Sequence, residues 1–471
     1  MAKRQVSIGT KTAYGMGNSL LSVKNMLFHF FFLFYFSNIL GVSEGLILLA
    51  TMIALMVDAF TDPIMGQITD NYRSDRWGRR HKFMLWGIVP TAMALALLFM
   101  PPDGLGQAGL FAWMLFFLLA VRLGLTVYGV PYYSLGAELS TDYNERTNII
   151  SVREFFNTLF NLSVFFFGLV VFLPQTEAYE DGMMNAAGYK PFAITFAIVG
   201  ALGALIAVWG TRKKIKALNK IDHPDPSRWQ ETFKEMRKAA QLPSFVWASL
   251  GYGAALVLYG IGSALSFYMG VYLWQFSQIE KFLVAMTPLL TLIPAVILAS
   301  VLAAKYDKKP TALVFGAVYL LCNILPYGLY LIGALPDIGT QDVLILICAF
   351  NALGFMGLTG MIVIANSMLA DVADEMELST GRRQEGILYA AFSFAQKMTF
   401  ALGTMIAIIS LMIINFPQQK ERSDVAQNLI DGLAWVSLVN ALIFGLLALL
   451  CFARYPLTRA RHKVIQEALS S

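Results

Sequence analysis

The sequence predicts an all-α membrane protein of twelve transmembrane helices in two six-helix bundles, and three observations carry the prediction. Of 471 residues, 57% are hydrophobic and 14% charged, with a mean hydropathy of +0.61, a composition outside the range of soluble domains. Apolar runs of the roughly 20 residues needed to cross about 30 Å of hydrocarbon recur along the whole chain between short polar connections. The longest polar stretch, Gly210 to Ser244, divides those runs six and six.

In chain order the runs cover 13–40, 44–69, 82–100, 109–138, 149–173, 192–211, 244–274, 281–304, 311–334, 341–371, 386–415 and 428–453. The first follows Lys3, Arg4 and Lys11 but is too long for a signal-peptide core, and no small-residue cleavage site follows it, so it is expected to be retained. The bundles are expected at 1–211 and 244–455, joined by a cytoplasmic connector at 212–243 and followed by a cytoplasmic tail at 456–471. In the connector, "DPSRWQETFKEMRKAA" opens on Asp225 and Pro226 and spaces Trp229, Phe233 and Met236 helically. That pattern suits a helix on the inner membrane surface or a solvated linker helix. The halves also rhyme. "GQITDNYRSDRWGRRHK" after helix 2 matches "KYDKKP" after helix 8, and "SLGAELSTDYNERTN" after helix 4 matches "SMLADVADEMELSTGRRQEG" after helix 10, as in transporters built from repeats.

The bias of Lys and Arg among short loops sets the orientation. With the N-terminus inside, only Lys190, Lys281, Lys420 and Arg422 of the 35 basic residues fall in external loops. Both termini are therefore expected in the cytoplasm, in a multi-pass protein of the plasma membrane. The net charge of +5 is this asymmetry and implies no nucleic-acid partner. Cys322, Cys348 and Cys451 lie in apolar runs as small hydrophobes, so neither a disulfide nor a metal centre built on thiols is expected.

A charge near the bilayer centre costs at least about 2.5–3.5 kcal/mol, so each one needs a partner, a wet cavity or a function. The candidates are Lys24, Asp58, Asp62, Arg122, Arg153, Glu154 and Lys397. Asp58 and Asp62, in "VDAFTDPIMG", are four residues apart, which sets both carboxylates on one helix face about 6 Å apart. Bare, they would repel and one would take a proton. A bound monovalent cation relieves the repulsion, and Na⁺ favours hard oxygens such as these, to which Thr61 and Thr126 can add hydroxyls. The competing reading is a buried salt bridge from the pair to Arg153 or Lys397, an arrangement seldom worth keeping for stability; Arg153 and Lys397 can equally pair with Glu154.

Polar stripes point the same way. Asn18, Ser22, Asn25 and His29 share one face of helix 1, Arg153, Asn157 and Asn161 one face of helix 5, and Tyr389, Ser393, Gln396 and Lys397 recur on helix 11. Any one of these residues reads as a helix–helix hydrogen bond worth about 0.6–2 kcal/mol; the three stripes together favour a central polar cavity. Lys24 is turned about 160° from Ser22 on the helix, so Lys24 and Arg122 are expected to pair with neighbouring helices. The basic loop after helix 2, through Asp70, Asp75, Arg76, Arg79 and Arg80, can form an inner gate with Glu138 and Arg146, or can simply set topology.

Twelve helices in two halves with "DNYRSDRWGRR" between helices 2 and 3 resemble the major facilitator superfamily. More narrowly, Asp58-Ala59-Phe60-Thr61-Asp62-Pro63 resembles the Asp-Ala-x-x-Asp-Pro signature of the glycoside-pentoside-hexuronide:cation symporters, the family typified by melibiose permease. "YGMG" (Tyr14 to Gly17), "VPYYSL" (Val130 to Leu135), "ERTNIISVREFF" and "RQEGILYAAFSFAQK" support it. The resemblance implies a cation site at Asp58, Thr61, Asp62 and Thr126, with Arg153 and Lys397 at the solute cavity. Ser22 and Gly129 stand where melibiose permease has sugar-binding carboxylates, a pattern shared with the sodium-dependent lysophospholipid symporters.

The expected function is sodium-coupled symport by alternating access, with an anionic glycoside or hexuronide as solute, or alternatively a lysophospholipid or other amphiphile. Asn18, Ser22, Asn25, His29, Tyr133, Arg153, Asn157, Tyr389, Ser393 and Lys397 are the expected solute contacts. A bacterial inner-membrane monomer with no cofactor beyond the coupling Na⁺ is expected. No catalytic Ser/His/Asp set or phosphate-binding glycine loop argues for an enzyme.

Overall fold

Each of the twelve apolar runs folds as a helix. The computed structural model describes residues 6–72, 74, 76–140, 143–215, 241–380 and 385–470, without the side chains of residues 59, 70, 137, 143, 144, 146, 147, 214, 379, 380, 385–391, 393–397, 400 and 470. The helices are α1 (Ile8–Ile39), α2 (Glu44–Asn71), α3 (His81–Leu98), α4 (Gln107–Glu138), α5 (Tyr143–Phe166), α6 (Ala186–Thr211), α7 (Pro243–Tyr268), α8 (Gln278–Tyr306), α9 (Lys308–Leu331), α10 (Gln341–Thr380), α11 (Glu385–Ile413), α12 (Gln427–Ala453) and α13 (Arg459–Ser470). Among the described residues eleven helices are long and apolar enough to cross a membrane; α11 contributes a shorter apolar stretch, Ala401–Ile413. The connector segment 225–240 and Asp75 lie outside the described residues.

Helix ends depart from the apolar runs wherever polar residues carry the helix onward. α6 begins at Ala186 rather than near 192 because the Asn185 side chain accepts the Ala187 N–H at 3.1 Å, satisfying a first-turn donor. α5 begins at Tyr143, inside a junction that reads as a loop, and α10 runs through its acidic stretch to Thr380. Ser277 and Glu280 cap α8 reciprocally. Asp307, at φ 84°, turns the chain sharply into α9 while its carboxylate accepts the Lys308 N–H at 2.6 Å.

The chain divides into two compact units, residues 1–226 and 227–471. In the first, α4 packs on α3 and α2, α6 packs on α3 and α1, and α5 packs on α1. In the second, α10 packs on α9 and α8, α12 on α9 and α7, and α11 on α7. Adding six to each label of the first unit gives the second, so the repeat seen in the polar junctions extends to helix packing.

Helices in hydrocarbon associate through close packing of small residues. At Gly87 of α3 a Cβ would come within 2.8 Å of Tyr128 N and 2.9 Å of Gly124 O of α4, and at Gly357 of α10 within 2.7 Å of Phe315 O and Tyr319 N of α9. The "YGMG" and "VPYYSL" stretches meet at such a contact. The Tyr14 and Tyr132 rings stack at 4.8 Å, and the hydroxyls of Tyr132 and Tyr128 donate to Tyr14 O and Gly17 O at 2.9 and 2.7 Å. Those bonds fix α1 on α4. Large apolar residues such as Leu290, Ile293 and Ile297 of α8 are left exposed, as a lipid-facing surface requires.

The C-terminal segment, expected as a plain tail, is a helix docked on the loop end of α10. His462 Nε2 lies 2.9 Å from Asp374 Oδ2 and 3.4 Å from Asp371 Oδ1, and Arg461 Nη2 lies 3.4 Å from Glu375 Oε1. The Arg459 N–H donates to Asp307 Oδ2 at 2.9 Å.

Candidate cation and solute site

The acidic pair stands on α2 and its partners on α4, each set spaced by one helical turn. Asp58 faces Arg122 and Asp62 faces Thr126. The Thr126 hydroxyl donates to Asp62 Oδ1 at 2.7 Å, and the Thr61 and Thr126 hydroxyl oxygens lie 3.5 Å apart. The structure thus brings Thr61, Asp62 and Thr126 together, with Asp58 one turn from Asp62 on the same helix. The Arg122 guanidinium makes an ion pair with Asp58. This corrects the competing reading in which Arg153 closed that bridge: Arg153 is engaged elsewhere, and the Lys397 side chain lies outside those described.

The stripes of α1 and α5 join into one hydrogen-bonded line. Asn18 Nδ2 donates to Ser22 Oγ at 3.1 Å, Ser22 Oγ donates to Asn157 Oδ1 at 2.9 Å, and Asn157 Nδ2 donates to Glu154 Oε2 at 3.1 Å. Arg153 Nη2 completes the line at 2.5 Å from Glu154 Oε1, with its guanidinium 5.1 Å from the half-exposed Tyr133 ring. Asn18 Oδ1 and Asn161 Oδ1 are buried with no hydrogen-bond partner among the described residues. Such orphan acceptors are costly unless a water or ligand donor reaches them. Asn25 Oδ1 accepts from Lys24 Nζ at 3.3 Å, and Lys24 Nζ lies 5.2 Å from the centre of the Phe28 ring. His29 is half-buried one residue on. Tyr389, Ser393 and Lys397 belong to α11, and their side chains lie outside those described.

Of the expected gate, Arg79, Arg80 and Glu138 come together. Glu138 Oε1 accepts from Arg79 Nη2 at 2.7 Å and Arg80 Nη2 at 2.8 Å, and Arg80 Nη1 donates to Thr69 Oγ1 at 2.7 Å. Arg76 turns instead toward the Trp77 ring at 5.9 Å. Asp75 and the side chains of Asp70 and Arg146 lie outside the described set. Two contacts escaped the sequence. Glu145 pairs with Lys11 at 3.1 Å, and Lys308 pairs with Asp371 at 2.7 Å, the second being legible only from the like-placed junctions of the two halves.

Arg153 takes Glu154, one of the pairings the sequence allows, and Arg122 pairs with a neighbouring helix as expected, but that its partner is Asp58 was missed. Arg122 precedes Thr126 by four residues, as Asp58 precedes Asp62, so the registry of two adjacent helices was the one available signal.

A family model described as MFS/sugar transport protein matches residues 13–459. An uncharacterized symporter of Synechocystis sp. is 24% identical over 100% of this chain and 98% of its own. A glucuronide carrier protein homolog of Escherichia coli is 24% identical over 98% of this chain and 95% of its own. Among solved structures, a bacterial homologue of the iron transporter ferroportin superposes with a TM-score of 0.64 at 13% identity, covering 95% of this chain and 100% of that one; at that identity the likeness concerns the fold.

Proposed function

The chain belongs to the MFS/sugar transport protein family, and from that premise we propose that it is a sodium-coupled symporter carrying an anionic glycoside of the hexuronide type by alternating access. It is a multi-pass membrane transporter and not an enzyme. The observation that carries the cation half of the proposal is the cluster of Thr61, Asp62 and Thr126 within one unit, with Asp58 one turn from Asp62 along the same helix. Two carboxylates and two hydroxyls are hard oxygens, and with Arg122 counted the group carries one net negative charge, matched to a monovalent cation. Cation binding and solute binding then raise each other's affinity by the same factor, as linkage requires.

The solute half rests on charge. In the first unit the intramembrane groups are Lys24, Arg122 and Arg153 against Asp58, Asp62 and Glu154, which balance. Loading one Na⁺ leaves an excess of one positive charge, and an anionic solute is favoured beside it. The glucuronide carrier relative supports the same class over an amphiphile. Both termini are placed in the cytoplasm on the Lys and Arg bias alone.

Uptake into proteoliposomes under an inward Na⁺ or choline gradient tests the proposal, with a glucuronide, a neutral glucoside and a lysophospholipid as solutes. Sodium-driven accumulation of the glucuronide is expected. Accumulation of the neutral glucoside or the lysophospholipid instead would refute the solute class, and equal uptake in choline would refute the coupling ion.

A further inference from the structure

Arg122 has a place in the site that the symport reading alone does not explain. Arg122 meets Asp58 and Thr126 meets Asp62 on two rungs between α2 and α4, each joining residues 64 apart. One helical turn, about 5–6 Å, separates the rungs. A cation seated between the two aspartates would therefore lie beside a fixed guanidinium, and two like charges at that separation in a partly dry site repel strongly. The site holds either charge at Asp58 far better than both.

The ion pair also has the marks of a contact made to be broken. Arg122 side-chain exposure is 14% and that of Asp58 is 28%, so the pair is neither fully buried nor fully solvated. Arg122 Nε is buried with no hydrogen-bond partner among the described residues, a donor left unsatisfied where most buried polar groups are paired. The guanidinium already leans on α1 as well, its carbon 5.9 Å from the centre of the Phe28 ring that Lys24 Nζ approaches at 5.2 Å, so a cation–π contact is on hand when it leaves Asp58.

Building on the sodium-site reading above, we propose that Arg122 is a tethered cation that occupies Asp58 while the site is empty and is displaced from it by the coupling ion. The displacement lowers the apparent affinity for Na⁺ and hands a positive charge toward α1 only once the ion is bound. Ion entry thereby creates the excess charge that an anionic solute meets.

The test has two arms on purified full-length protein. In the first, stabilisation against thermal unfolding is titrated with NaCl against choline chloride, for the native chain and for Arg122→Gln. Removing the competitor should lower the Na⁺ concentration at half-effect about tenfold or more, within the usual range of site coupling. An unchanged or raised value would overturn the proposal. The second arm needs no variant and separates displacement from mere proximity. The native protein is treated with phenylglyoxal in NaCl or in choline chloride and its modified arginines are mapped by mass spectrometry. Greater modification of Arg122 in Na⁺ is expected; equal or lower modification would overturn displacement. If neither the native protein nor Arg122→Gln responds to Na⁺ in the first arm, the cation site itself is refuted, a result distinct from failure of the Arg122 role.

Discussion

Lys308 Nζ lies 2.7 Å from both carboxylate oxygens of Asp371, joining the start of α9 to the loop end of α10. In the other unit Arg80 and Glu138 join the α2–α3 loop to the end of α4 in the same way. Each half thus pins its third helix to its fourth with an ion pair at the polar junction.

These pairs should be worth more than surface contacts, because Asp371 and Arg80 are buried. Removing one partner of a buried pair costs about 3–5 kcal/mol and an exposed one about 0–1, so a value on the order of 2 kcal/mol is expected for Asp371→Asn. Glu138→Gln should cost at least as much, since one carboxylate oxygen serves two arginines. Denaturant unfolding in detergent measures both, and a change indistinguishable from zero would return these charges to a purely topological role.

The two aspartates, alike in sequence, should differ as variants. Asp62→Asn removes a charge while keeping an acceptor for Thr126, so the protein should fold normally and lose sodium-driven accumulation. Asp58→Asn leaves the Arg122 guanidinium without its counter-ion and should lower stability as well, by about 1–3 kcal/mol. The double variant Asp58→Asn, Arg122→Gln should recover most of that stability but not transport. Thermal melts beside uptake assays check the pattern; equal melts for the two single variants would contradict it.

Glycines of α2 and α3 should respond oppositely to a methyl group. Gly87→Ala drives a Cβ into the α4 backbone at Tyr128 N and Gly124 O, which cannot give way as a side chain would, so expression and stability should fall sharply. Gly66→Ala meets nothing within 4 Å in a helix interior and should stabilise by up to about 1 kcal/mol. Size-exclusion profiles after heating would rank the two.

The fold was legible because membrane helices announce themselves by length and apolarity, and the halves by like-placed charged loops. The oxygen ligands were legible because i, i+4 spacing fixes a helix face. Which helix that face meets is not in the spacing: Arg122 pairs with Asp58 only because α2 and α4 run side by side in register, and Glu154 takes Arg153 by neighbouring it. The ends of α5 and α10 were missed for another reason. Hydropathy marks where the bilayer stops, while the helix continues into polar residues for as long as its backbone bonds are satisfied. The docking of α13 rests on His462 and Arg461 finding acids on α10, and charges in a short basic tail read the same whether docked or free.

The Arg153–Glu154 pair gives the sharpest test of the solute's charge, because Glu154 is the one acid on the α1–α5 polar line. Glu154 neutralises Arg153 and accepts from Asn157. In Glu154→Gln the amide oxygen still accepts from Asn157, while Arg153 loses its counter-charge and the wall gains one positive unit. For an anionic solute the half-saturating concentration should then fall several-fold, with the gain shrinking at high ionic strength as screening grows. A neutral glucoside offered as a competitor should be indifferent to the change. The opposite sign would follow if Glu154 itself accepted hydrogen bonds from sugar hydroxyls, since a glutamine replaces a charged acceptor with a weaker one. Uptake titrations of the native protein and Glu154→Gln at low and high salt separate these outcomes, and a several-fold loss of affinity for the glucuronide at both salts would make Glu154 a sugar ligand and the solute's carboxylate incidental.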